Sequence, residues 1–534
     1  MGVFINTLIS GAVTQKEWEP VYEESLFMAK ELKLLDIEKV DVCGREMYCA
    51  VPTHEYTQKT WDDKEHIGWR ASGNLVTLRR AEPHYTPRSF DDDSIECECK
   101  CDDALIQLVP QYAGYMYNDP EAEKFYCCHS IWGAKTQGEP YHMLLLAIGC
   151  MIEARLGKHA IVDGDITRGQ CVKAIEIAND VLGEKLELPV RCDAKRLIKR
   201  VGDLPITDLE KLSVVIGAYL GTEGNAFGQL IRENFDDAII KKYWKEKVGA
   251  YEPDMYGFTR AMNSYFLMGF GLSDFCDFAK FDAKDAEKCK ELMKGLMDTA
   301  MYLPDKDCED FIAIDKEAEE AYGIGQALAQ IFLVSAKNKH IDRYIPLDEF
   351  RLVFREKYGS TLDTDAWLDS YIEAEGKKAA NKDDVDPDEH ELFSLYAKGW
   401  TEKREEDMKK YDVCEYDDLE HYTKGASISP DLKTAIKKSY DFYMSTCNEE
   451  RFKELKDKSP EDMIDYIVAR NTQVVMTREE WEKIFAIIRE HPENFSRYYG
   501  MVRVRITDDS LYLMRVLTLN DDFWDYCKTL PPVG

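Results

Sequence analysis

"IVDGDITRGQCVKAIEIAND", Ile161 to Asp180, is where the chain changes character. Three apolar residues ending at Val162 lead into Asp163-Gly164-Asp165, then Thr167-Arg168-Gly169, then an apolar spacing of helical period. The pattern predicts a short buried strand, a tight turn and a capped helix with Val172, Ile175 and Ala178 inward. The same residues also carry the chemistry of a site. Asp163 and Asp165 are hard oxygen ligands, Arg168 is a phosphate clamp, and the free N–H groups of a helix starting near Thr167 attract anions. Two carboxylates at that helix start oppose a phosphate, because they already answer the positive end of the dipole. The turn reading is therefore favoured. The neighbouring stretch "WGAKTQGEPYHM" (Trp132–Met143) supplies Lys135, Gln137, Tyr141 and His142 as polar groups for a small-molecule crevice, should the segment line one.

Upstream of this point the pattern is mixed. Val3–Ser10 is β-rich, and Thr14 with Glu17 has the spacing of a capping box that opens a helix with Trp18, Val21, Tyr22 and Leu26 on one face. Lys39–Val51 reads as two strands around Gly44, and Ile67–Leu78 as a hairpin around Ser72-Gly73-Asn74. Downstream the period is helical. Tyr141–Leu156 is an apolar helix ending at Gly157, and Thr207 with Glu210 opens another helix for which Gly221 is the expected C-cap. Helices are expected around 226–247, 255–269, 284–301, 318–336 and 347–357, and an exposed loop or linker over Glu375–Glu391. Ser459-Pro460 and Thr477…Glu480 start two further helices, while Met501–Leu519 fits either a hairpin or two short helices. The motif T-x-x-E-W-E occurs at Thr14 and at Thr477, and shared helix-start chemistry explains it without a duplication. The expected fold is α+β and predominantly helical: a small N-terminal mixed sheet layer followed by helical domains, divided as 1–185, 186–380 and 388–534.

The 534 residues carry 101 acidic against 69 basic side chains, a formal net charge of −32. That balance repels nucleic-acid backbones and anionic lipid, so direct nucleic-acid binding and membrane association are not expected. The basic clusters are short, Arg196, Lys199 and Arg200 among them, and read as helix faces. Met143–Ile152 is the most apolar run and is far shorter than the ~20 residues of a membrane span. The first residues lack a secretory leader, and Asn6 stands where myristoylation requires Ser or Thr. A cytoplasmic protein with reduced thiols is the expectation.

Cysteine spacing raises one metal candidate. Cys97, Cys99 and Cys101, with Cys127, Cys128 and His129, have the ligand chemistry of a zinc-stabilised scaffold. The alternating and adjacent spacings differ from a zinc knuckle, and adjacent Cys127 and Cys128 point oppositely on an extended chain. An acidic loop with incidental thiols is the simpler reading, so no cofactor is expected. Gly221–Gly228 lacks the Gly-Lys-Ser/Thr of a P-loop, and zincin, nucleophile-elbow and kinase signatures are missing from the sequence. The function expected from charge is a non-catalytic protein–protein interaction protein with a basic partner, an adaptor or an immunity-type neutralising protein. The alternative is an enzyme or phosphate-binding protein built on Asp163–Arg168. The oligomeric state has no signature in the sequence.

Overall fold

The computed structural model describes residues 2–59, 65–90, 101–109, 128–299, 301–303, 319, 343–380 and 409–531, apart from 254, 415, 472–473 and 504–507. It is an α+β, mostly helical fold with two small antiparallel sheets near the N-terminus. Two compact units share the chain, and neither is one continuous stretch. The first takes Met1–Glu17, Asp91–Ser130 and Gly149–Trp400; the second takes Trp18–Phe90, Ile131–Ile148 and Thr401–Gly534.

In the first unit, β1 (Phe4–Ser10) runs antiparallel to the strands Cys128–Ser130 and Ala160–Gly164, pairing Leu8 with Ser130 and Ile5 with Gly164. The helices Arg168–Leu182, Ala194–Gly202, Asp208–Ala218, Asn225–Asn234 and Asp237–Val248 follow. Helical period alone merges the last two into one helix over 226–247, but the chain breaks at Phe235-Asp236 and Asp236 begins the second as its N-cap residue. The helix before them ends at Ala218 with Tyr219 as its C-cap, so Gly221 lies beyond the cap position expected of it. An aromatic cluster around Tyr265, with Trp244 at 5.2 Å, Phe270 at 5.1 Å and Phe275 at 5.3 Å between ring centres, fills much of this core. Rings that bury this much surface dominate core energetics.

In the second unit, α1 (Gln15–Glu31) lays its Trp18, Tyr22 and Ser25 face on a five-stranded antiparallel sheet. Trp18 Nε1 donates to Pro87 O (3.1 Å), Tyr22 Oη to Glu55 (2.9 Å), and Trp69 Nε1 to Ser25 Oγ (3.0 Å). The strands are β2 (Leu34–Val42), β3 (Arg45–Pro52), β4 (Glu55–Lys59), β5 (Glu65–Asn74) and β6 (Arg80–Pro87), with β5 paired to β2, β4 and β6. Ser72-Gly73-Asn74 is therefore the end of a strand and not a hairpin turn. Gly73 sits at a register shift in the β5–β6 pairing, where a Cβ would run into the Arg79 carbonyl. Glycine here serves close backbone approach.

Val42, Met47 and Cys49 share a core with Trp481, Ile484 and Phe485 of the helix Arg478–Glu490 and with Tyr443, Tyr499 and Phe523. The C-terminal segment left open by its spacing is helical over Asp508–Leu519, after a 3₁₀ turn at Gly500–Arg503. The first residues of the exposed loop expected over Glu375–Glu391 are helical instead, because the helix Thr364–Ala380 runs through them. The rest of that stretch, and the helix expected at 318–336 except residue 319, lie outside the described residues. No helix among the described residues is long and apolar enough to cross a membrane.

Candidate functional site

The strand Ala160–Gly164 is buried along Ala160, Ile161 and Val162, and its end is tied to β1 by a two-way clasp. Asp165 N donates to Phe4 O (2.9 Å), and Phe4 N donates to the Asp165 carboxylate (3.1 Å). Burial raises the pKa of that carboxyl, more than the Phe4 hydrogen bond lowers it. Gly164 has φ +121°, and a side chain there would meet Phe4 O. Asp163 pairs with Arg191 at 2.6 Å. The buried Arg191 guanidinium also donates to Val162 O (3.1 Å) and Ala218 O (2.8 Å). Thr167 caps the next helix in a reciprocal box with Gln170, and Arg168 Nε donates to Cys192 O (3.3 Å). Each of the four polar residues nominated here thus has a partner within the fold.

Behind this strand lies a buried group that sequence reading missed. Glu153 accepts Val162 N–H (2.9 Å) and Val190 N–H (2.7 Å), and burial pushes its carboxyl up while those two bonds pull it back. Beside it Cys150, Cys171 and Cys192 are all buried, with Cys171 hydrogen-bonded to both of the others. Burial raises Cys150, the Cys150 thiol and burial raise Cys171, and the Cys171 thiol and burial raise Cys192. Thiols held neutral are poor nucleophiles, and they fill space as small apolar groups.

Lys135 and His142 fall in the second compact unit, whereas Asp163–Arg168 fall in the first. Lys135 is exposed; its N–H donates to Glu82 (2.8 Å) and its ammonium stands 3.8 Å from the same carboxylate. His142 is fully buried, with Nδ1 2.7 Å from Thr136 Oγ1 and no hydrogen-bond partner at Nε2 among the described residues. His84, also buried, lies between Glu82 O (2.9 Å) and Ala134 O (3.2 Å), and a neutral ring donates to only one of them. Burial pushes both imidazoles down to about 4. Arg79 and Glu139 (2.5 Å), Tyr141 on Glu82 O (3.2 Å) and Trp132 on Thr86 (3.0 Å) close the cluster. Gln137 adopts φ +57°, a left-handed conformation uncommon outside glycine, with its buried Oε1 unpartnered among the described residues.

Of the proposed zinc ligands, Cys97, Cys99 and Cys127 lie outside the described residues. Cys128 is buried in the first unit's core, the adjacent His129 is partly exposed, and the Cys101 thiol approaches Asp103 O (4.0 Å). No group of three His, Cys, Asp or Glu side chains among the described residues is placed to hold a metal.

One open cleft, of about 700 Å³, lies in the first unit. Lys195, Ile198, Lys199 and Gly202 line it from one face of Ala194–Gly202, at i, i+3, i+4 and i+7. The basic run read as one helix face in fact divides between two. Arg196 pairs with Glu187 (2.8 Å) and Arg200 grips Asp103 with two nitrogens (2.8 Å each), while the two lysines face the cleft. The helical spacing of Lys195 and Lys199 was the available signal. The opposite walls come from later helices and carry no local mark. Comparison of the chain with family profiles, with characterised proteins and with solved structures finds no match.

Proposed function

We propose that this chain is a non-catalytic cytosolic interaction protein whose acidic surface docks a basic protein partner, in the manner of an adaptor or an immunity-type neutralising protein. The observation that carries the reading is the charge balance. If each of the 69 basic side chains took one carboxylate of the 101, 32 would remain without a cation. Charged groups are rarely buried, so that surplus belongs to the surface, where it steers positively charged partners and repels nucleic acid. Local geometry supports the same reading. Arg88 is shared among Glu19 (3.1 Å), Glu23 (2.5 Å) and Glu55 (2.6 Å), so even an arginine at the surface leaves acids in excess around it. The phosphate-binding alternative has no observation in its favour, since Asp163, Asp165, Thr167 and Arg168 are engaged in the fold.

The test is affinity capture of the tagged full chain from its native host, identification of the bound protein, and a salt titration of the purified pair. The expected partner is strongly basic, and the complex dissociates between about 50 mM and about 500 mM salt as exposed charge is screened. A neutral or acidic partner, or a complex indifferent to salt, overturns the proposal.

A further inference from the structure

We propose that the cleft in the first unit is a binding site for a small phosphorylated ring compound of nucleoside-monophosphate type. Three helices, A (Ala194–Gly202), B (Asp208–Ala218) and C (Asn225–Asn234), line it together with Phe235 and Asp236, which follow helix C. Its volume of about 700 Å³ is that of a small-ligand site and far exceeds what an inorganic anion fills.

Charge comes first. Lys195 and Lys199 are exposed and have no side-chain partner among the described residues, although helix A's arginines are both paired and carboxylates outnumber cations across the chain. Lys211, from the first turn of helix B, is held at the rim by Gly202 O (2.9 Å) and lies 4.0 Å from Asp208. Two ammonium groups one helical turn apart, neither in an ion pair among the described residues, make a compact anion site, and ammonium is a common point-charge partner of phosphate. The body of the ligand is set by the other walls. Ile198, Leu230 and Phe235 present apolar surface, which a bare phosphate leaves unused and a ring covers. Asp208 and Asp236 also line the cleft. They repel a second anion and accept hydrogen bonds from hydroxyl groups, as a ribose offers. A phosphate, a polyhydroxyl middle and an apolar ring in one molecule answer all three walls. Gly202 gives access, because no atom lies within 4 Å of where its Cβ would stand. This site is argued from the cleft's lining and the docking reading from the net charge, so each has its own test.

Titration calorimetry of the full chain against adenosine, guanosine, cytidine and uridine monophosphates at about 50 mM salt tests the site. Saturable one-to-one binding of at least one is expected. The double variant Lys195→Gln/Lys199→Gln weakens it at least about tenfold, Lys195→Arg/Lys199→Arg retains it, and Gly202→Phe abolishes it by filling the cleft while the melting temperature stays put. Should Gly202→Phe fail to fold, the two lysine double variants decide. No saturable binding of any of the four, binding unchanged in the Gln double variant, or inorganic phosphate binding as tightly as the nucleotides each overturns the proposal.

Discussion

His142 and His84 show how burial sets chemistry at single residues. Both imidazoles are held down at about 4, against an ordinary value of 6.5, so the folded chain binds fewer protons than the unfolded one between those limits. Their contribution to stability is complete above pH 6.5 and is lost as pH falls toward 4, by up to about 3 kcal/mol each. Urea denaturation between pH 6.5 and 5 separates them from lowered carboxylates such as Glu461, at about 2, which lose their contribution only below about 4.5. Glu153 and Asp165, both raised by burial, work in the opposite sense and are common to the native chain and His142→Gln. Stability is expected to fall across that window in the native chain and less steeply in His142→Gln; identical slopes would refute the assignment. Arginines supply the second test. Arg191→Ala strands a carboxylate and two carbonyls and is expected to cost more than about 2 kcal/mol in a urea denaturation at neutral pH. Arg168 could be nominated from sequence because it adjoins Asp163 and Asp165. Arg191, the true partner of Asp163, could not, because it enters from 28 residues away.

At the scale of elements, the starts of helices were legible and the uses of glycine were not. Thr14, Thr207, Ser459 and Thr477 cap as their spacing implies, because a cap is settled within four residues, and of Asp165 and Thr167, either of which could cap the next helix, Thr167 does. Both T-x-x-E-W-E segments bury their tryptophan completely for that same reason. Glycine spacing is ambiguous, because turn, bulge and close approach all select it. Gly73 borders a register shift and approaches the Arg79 carbonyl closely, and Gly164 combines φ +121° with close approach to Phe4 O. Gly164→Ala is therefore expected to cost more than about 2 kcal/mol and to loosen the β1 pairing, while Gly183→Ala, with φ +69° but open space around it, costs about 1 kcal/mol. Amide exchange of Ile5–Ile9 reads the difference directly, and protection there unaltered by Gly164→Ala would contradict it. The cleft shows the limit of element-level reading. Helix A's face could be drawn from its period, but Leu230, Phe235 and Asp236 reach it only through the packing of helix C and the link that follows it.

Over the whole molecule, the order of local patterns told the fold class, while the cores remained hidden because distant segments build them. Val42, Met47 and Cys49 share a cluster with residues from Val413 to Leu530, and no local period announces such a pairing. Charge, in contrast, needs no tertiary information. Two salt effects compete in a chain of net charge −32. Screening weakens exposed pairs such as Lys241–Asp274 and Arg478–Glu482, each of which adds little to stability in high dielectric. It also relieves mutual repulsion among the surplus carboxylates, which acts over tens of ångströms when the Debye length is about 30 Å at 10 mM salt and fades when it is about 8 Å at 150 mM. Pairs act only at contact and number no more than the available cations, whereas every surplus carboxylate repels every other within reach. Repulsion is the stronger of the two effects, so the melting temperature is expected to rise from about 10 mM to about 150 mM sodium chloride. Differential scanning fluorimetry at a fixed pH of about 7.5, where the carboxylates are ionised, measures it. A melting temperature that falls over this range would mean that local pairing outweighs the surplus.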